Sequence, residues 1–318
     1  MRPLSSLFLL AALGAAAALA QPYPSKPIRV VVPFSPGGPV DVVARLIAPK
    51  ITDALGQGLI IENVAGGGGN IGVARVARSA PDGYTVLMTS SSFAVNATLT
   101  PNPGYDAEKD FIPIAVVASQ PNFIFVHPDF PAKTLAELLR MAHTEKLAYA
   151  SPSSGTTPHL TAENLFKVRA KVDITHIPFK GAGPAITAVL GGQPPIGSAA
   201  GTAPMPHLKS GKLRALAVSS TRRVPSLPDV PTLGELGFAD MEDYTWVGIF
   251  VPAATAPEIA QRLNQVVIKT VQIPEIRERL EALTFEVTAA PLRETADYVR
   301  AELVKWGRVV RDTGAKAE

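Results

Sequence analysis

The stretch Ile28-Arg29-Val30-Val31-Val32-Pro33-Phe34-Ser35-Pro36-Gly37-Gly38-Pro39-Val40-Asp41 decides the fold. Its first five residues are almost all β-branched, the composition of a parallel strand buried on both faces. Proline and glycine end that strand. Val42, Val43, Leu46, Ile47 and Ile51 then recur at helical spacing and predict a helix over 41–55, kinked locally at Pro49. In open α/β sheets, ligands bind at the carboxyl ends of strands. Gly37-Gly38 lets backbone N–H groups approach a ligand without side-chain obstruction, and the following helix start adds partial positive charge. Phe34, Ser35, Gly37 and Gly38 are therefore candidate ligand-binding residues that can hold a carboxylate without Lys or Arg. Asp41 has two readings, a helix N-cap or a partner for a ligand hydroxyl or amine, and the cap is preferred.

Outward from this unit the alternation continues. Strands are predicted over 59–63 and 84–89 around a helix over 70–78, with Asp82-Gly83 as a turn. The pattern resets near Gln120-Pro121-Asn122. Strands over 123–126, 147–150, 174–177 and 213–219 then alternate with helices over 134–143, 158–168 and 182–190. Thr134-Leu135-Ala136-Glu137 reads as a capping box, and Thr255, Pro257 and Glu258 as the opening of another helix. After a strand over 246–251, the helices over 257–271, 274–283 and 293–311 cannot bury their own faces, so they should return to the first sheet. The expected fold class is α/β. It has two α/β lobes, 21–123 with 247–318 and 124–246, joined by two crossing strands near 122–126 and 246–250. Two connections make a hinge with a cleft.

The matching element of the second lobe is Ser151-Pro152-Ser153-Ser154-Gly155-Thr156, again between a strand and a helix. Its hydroxyls and amides offer neutral hydrogen bonds to a carboxylate, so Ser151, Ser153, Ser154, Gly155 and Thr156 join the candidates. Ser90, Ser91 and Asn96 follow the third strand as further lining groups. Lys180 stands near the end of another strand as an open choice. His176 reads as an exposed strand end, and His159 as an early-turn packing or capping residue.

Several functions are excluded or set aside. Gly67-Gly68-Gly69-Asn70-Ile71-Gly72 spells G-x-G-x-x-G, the basis for a dinucleotide-dependent oxidoreductase. However, the next strand ends Met88-Thr89-Ser90-Ser91-Ser92 without the acidic residue that fold needs. No G-x-S-x-G elbow supports a hydrolase. Cysteine is absent, and the five histidines (127, 143, 159, 176, 207) are widely spaced, so no metal site and no cofactor are expected. Net charge is only +3 with scattered Lys and Arg, against nucleic acid. Met1-Arg2, an apolar run over 4–19 and Ala18-Leu19-Ala20 read as a secretory signal peptide over 1–20. A periplasmic protein is therefore expected, with no membrane insertion after cleavage.

Longer motifs resemble one family. They include Tyr23-Pro24-Ser25-Lys26-Pro27-Ile28, Val31 through Gly38, Gly67 through Gly72 and Pro81-Asp82-Gly83-Tyr84-Thr85. Pro178-Phe179-Lys180-Gly181, Gly211 through Val218, Leu227 through Thr232 and Ala301 through Trp306 extend the likeness to the C-terminus. The sequence is similar to the Bug/TctC family, substrate-binding proteins of tripartite tricarboxylate transporters. The resemblance implies a type II periplasmic binding protein-like fold, a non-enzymatic receptor, a small organic acid held by backbone groups and bridging waters, and a membrane permease as partner. A monomer is expected, and a secreted carboxylate-sensing docking protein is a rival. One departure follows Gly191-Gly192-Gln193, where Pro194-Pro195-Ile196-Gly197-Ser198-Ala199 replaces an acidic or amide position. With Ala199 on the far wall, a longer or more apolar acid is expected. A second departure is Ser153-Ser154-Gly155-Thr156, where the family pattern is Gly-Asn-Gly-Ser.

Overall fold

The computed structural model describes residues 23–317. The signal-peptide segment 1–20 lies outside them. In chain order the elements are β1 (Ile28–Val32), α1 (Pro39–Leu55), β2 (Leu59–Asn63), α2 (Asn70–Ala77), β3 (Thr85–Ser90) and α3 (Ser92–Leu99). Next come β4 (Phe111–Val126), α4 (Leu135–Met141), β5 (Leu147–Ser151), α5 (Thr157–Glu163), β6 (Ile174–Pro178), α6 (Ala182–Leu190), β7 (Ile196–Ala200), α7 (Met205–Lys209) and β8 (Arg214–Val218). The chain closes with β9 (Tyr244–Pro252), α8 (Pro257–Val271), α9 (Pro274–Ala282), β10 (Glu286–Val287) and α10 (Leu292–Thr313).

One strand joins two sheets. Residues 111–121 of β4 pair antiparallel with β9, and residues 122–126 pair with β7 on one side and β8 on the other. β3 flanks β9, and β1 and β2 continue from β3 in parallel. In the second sheet β5 lies between β7 and β6, parallel to both. β1 and β3 run with β4, whereas β5, β6 and β7 run against it. The carboxyl ends of the two parallel sets therefore point at each other.

The C-terminal helices return to the first sheet. Leu263 and Val267 of α8 share a buried cluster with β1 and α1, and Trp306 and Val309 of α10 share one with α2, α3 and β9. Trp246 of β9 and Trp306 both donate their indole N–H to Glu302 Oε2, at 2.9 and 2.8 Å, which ties α10 to the strand beside β4. Leu160 of α5 enters the same cluster as Trp306, so the second sheet's helix is anchored in the first sheet's core.

The Thr134 capping box forms, with Glu137 N–H on the Thr134 hydroxyl and the Glu137 carboxylate on the Thr134 N–H. The Thr255 cap does not. Ala256 is the N-cap of α8, and the buried Thr255 hydroxyl has no partner among the described residues. The helix expected over 158–168 is α5 followed by a π-helical turn, Asn164–Arg169.

Candidate functional site

Both helix-start loops lie at the facing strand ends, and different chemistry holds each. In the first loop Gly38, not Asp41, is the N-cap of α1. Asp41 stands three residues inside the helix, only 3% exposed, and reaches back to accept the Gly37 N–H at 3.0 Å. Its carboxylate also takes Arg45 Nε at 3.0 and 3.1 Å and Asn63 Nδ2 at 3.0 Å. Asn63 Nδ2 donates as well to the Phe34 carbonyl. Burial acts to raise the Asp41 carboxyl, but the hydrogen bonds from Arg45, Gly37 and Asn63 outweigh it and hold it below the usual carboxylate range. This corrects two expectations. Asp41 neither caps the helix nor presents a free oxygen to a ligand, because Arg45 and Asn63 engage it, and the Gly37 N–H is held internally. Phe34, Ser35 and Gly38 keep N–H groups that meet no acceptor among the described residues.

The second loop rests on neutral side chains. His159 and His176 stack with ring centroids 3.9 Å apart. His176 Nε2 lies 2.7 Å from Ser151 Oγ, and His159 Nδ1 accepts the Gly155 N–H at 3.3 Å. The Ser151 and Thr156 hydroxyls both donate to the Ser153 carbonyl. Because Ser151 donates there, the His176 nitrogen facing it is assigned as its donor. Burial lowers His159 to about 4, aided by Lys167, and lowers His176 to about 3, aided by His159. Both rings are neutral at pH 7. His176 is thus a buttress rather than the expected exposed strand end. Ser151 with His176 has the spacing of a nucleophile and base, but this hydroxyl is fully buried under the loop it supports. The N–H groups of Ser153, Ser154 and Thr156 find no acceptor among the described residues, nor does the buried Ser154 hydroxyl. Lys180 is exposed and forms no ion pair among the described residues, while its neighbours Phe179 and Gly181 donate to the Ser151 and Pro152 carbonyls.

A third loop bridges these two. Gly68 and Gly69 have positive φ (64° and 104°), and a Cβ at Gly69 would lie 3.2 Å from the Phe34 ring. One at Gly68 would lie 3.2 Å from the Ser154 carbonyl. Asn96 Nδ2 donates to the Gly68 and Ser92 carbonyls at 3.1 and 3.0 Å, and lies 3.4 Å from the Gly155 carbonyl. Asn96 is thereby a staple between the sheets, not a free lining group, since its two protons already serve three carbonyls. Ser91 is fully buried too. Its hydroxyl begins a relay through Thr157 and Thr245 to Asn122, and on through Thr161 to Asp243, which pairs with Lys305 at 3.0 Å. Ser90 bonds Ser92. Ala199 turns into the core shared by Phe123, Phe125 and Met205, so it is not a far wall. Strand parity decides this, with neighbouring Ser198 on the other face donating to the Pro158 carbonyl. Sequence reasoning missed this relay and the histidine stack.

The glycine motif is now explained without a dinucleotide. At Gly72 a Cβ would lie 2.7 Å from Pro33 Cβ and 2.9 Å from the Val64 carbonyl, so this glycine lets α2 pack on the end of β1.

Residues 43–315 match the model described as "Tripartite tricarboxylate transporter family receptor". The chain belongs to that receptor family. Protein BugT of Bordetella pertussis is 36% identical to this receptor over 314 residues, covering 98% of this chain and 96% of BugT. The solved periplasmic binding protein BugD is 33% identical with a TM-score of 0.87, covering 93% of this chain and all of BugD. Rpa4515 of R. palustris, solved with adipate, is 31% identical with a TM-score of 0.88, covering 92% of this chain and 99% of Rpa4515. MatC of Rhodopseudomonas palustris, solved with malate, is 33% identical with a TM-score of 0.85, covering 91% of this chain and all of MatC. The receptor is accordingly a periplasmic-type solute-binding protein, not an enzyme. No helix among its described residues is long and apolar enough to cross a membrane.

Proposed function

We propose that the receptor captures a small organic acid between two lobes, 21–123 with 247–318 and 124–246, and presents it as a monomer to a membrane permease in the periplasm. The observation that carries this reading is the pair of helix-start loops at facing strand ends, each with N–H groups free of internal acceptors. Amide donors at a helix start bind anions without a basic side chain, and neither loop contains one. Adipate in Rpa4515 and malate in MatC support the ligand class. Closure turns on the two places where the chain passes between sheets, Pro121-Asn122 in β4 and Asp243-Tyr244-Thr245 at the start of β9. The short hydroxyl and amide bonds of the seam can exchange partners as the lobes part.

Ala199 in a core removes the ground for expecting an apolar acid. A thermal-shift series with adipate, malate, succinate, benzoate and NAD tests the function. A ligand at a hundred times its Kd adds about 2.7 kcal/mol to the folded state, a shift of several degrees. At least one carboxylate should produce it. Stabilisation by NAD with no response to any acid would overturn the proposal.

A further inference from the structure

Gln120 is fully buried on β4, one residue before the last that the strand pairs in the first sheet. Its amide oxygen accepts the Thr202 N–H at 2.7 Å, the Thr202 hydroxyl at 2.8 Å and the Thr284 hydroxyl at 3.3 Å. A backbone N–H can only donate, so the oxygen is assigned without ambiguity. The other end of the amide, Nε2, has no partner among the described residues. Buried donors in folded proteins are almost always satisfied, and an exception calls for an explanation, of which a water or a bound ligand is the commonest kind.

The location says what that partner is. Thr202 follows β7 and is only half-buried, at the strand ends that face the first sheet. Thr202 and Thr284 lie on the β7 and β10 side of β4, so the planar amide turns its NH2 away from them. Across the ribbon, on the same face, Gln120 is opposite Thr245, whose hydroxyl bonds Thr157 at the start of α5. Gln120 therefore shares the face of the ribbon on which Thr245 meets Thr157, beside the start of α5 and its helix-start loop.

Resting on the function proposed above, we infer that Gln120 donates Nε2–H to a second acceptor group on the bound acid, and so selects diacids and hydroxy- or oxo-acids over monoacids with apolar tails. The helix-start amides hold one carboxylate, and Gln120 reads the far end. A site built to hydrogen-bond a polar group rejects the analogue lacking it, because its own buried group is then unpaired.

Calorimetric titration with adipate, succinate and malate against hexanoate and butyrate tests this, using the full mature chain. Wild type should bind at least one diacid at least tenfold more tightly than its matched monoacid. Gln120→Glu keeps an oxygen for Thr202 and Thr284 and replaces the NH2 with a second oxygen. At pH 8 it should lose tenfold or more in diacid affinity and less than threefold for monoacids. Diacid binding should recover near pH 5, where a protonated Glu can donate again, while wild type changes little. A folded Gln120→Glu that binds diacids like wild type at pH 8 would overturn the inference. Should that variant not fold, a crystal structure of wild type with its tightest acid decides. A ligand oxygen within hydrogen-bond distance of Nε2 supports the assignment, and only a water there refutes it. If no acid binds wild type, the proposed function itself fails and this inference falls with it. If acids bind but Gln120→Glu is indifferent, only the inference falls.

Discussion

The two helix-start loops occupy equivalent places in their sheets and are built in opposite ways. Around 33–41 the loop is braced by charge, with Asp41 accepting from Gly37, Arg45 and Asn63. Around 151–156 it is braced by neutral groups, with His176 on Ser151 and His159 on Gly155. The difference teaches how an anion site tolerates a buried carboxylate. Asp41 is offset by Arg45 on the neighbouring turn, so it shapes the loop without opposing the ligand. The second loop needs no such compensation, and its rings stay uncharged because burial disfavours the imidazolium. Each loop keeps its remaining amides free.

The largest expected effect concerns the base of the first loop. Gly72→Val should destabilise the receptor by about 3 kcal/mol, the upper end of overpacking costs, because its Cβ meets the Pro33 and Val64 backbone. Chemical denaturation would show a lower midpoint, and an unchanged midpoint would detach α2 from the support of that loop. Next, Asp41→Ala should cost about 1–3 kcal/mol through the unpaired N–H groups it leaves. Its loop should loosen, so ligand affinity should fall along with stability.

The second loop is sharpened by pH. His159 and His176 titrate in the folded receptor at about 4 and about 3, below the unfolded imidazole near 6.5. The unfolded chain thus binds more protons below pH 6.5. The histidines' contribution is intact above that pH and is lost progressively as pH falls toward about 3. His176→Phe keeps a stacked ring on His159 and should flatten this part of the melting-temperature profile. An unchanged slope would remove His176 from the account. The smallest effect belongs to Ser154→Ala. Removing an unpartnered buried hydroxyl should leave apo stability within about 0.5 kcal/mol, while weakening binding of the acid.

What the sequence makes legible here is local. The β-branched strand, the Gly37-Gly38 loop and the capping box of α4 are each contained within a few residues, and all are found in place. α3 escaped notice because Ser92 through Asn96 are buried on every side and show no amphipathic period. The first sheet's part of β4 was hidden by Pro113, tolerated beside a register shift, and by Pro121, which stands where the strand passes from one sheet to the other. Site residues went astray where a partner lies far along the chain. Asp41 needs Asn63, Asn96 needs Gly155, and the histidine stack needs His159 of α5 to lie over His176 of β6. Ala199 was misplaced because nothing before the sheet is known fixes which side of β7 it takes.

The central claim is that main-chain amides from both loops hold the acid at the seam. A crystal structure of the receptor with its tightest carboxylate tests it most directly. Carboxylate oxygens should lie within hydrogen-bond distance, directly or through one water, of N–H groups in 34–38 and in 153–156. An acid held instead by a lysine or arginine, or bound away from both loops, would contradict it.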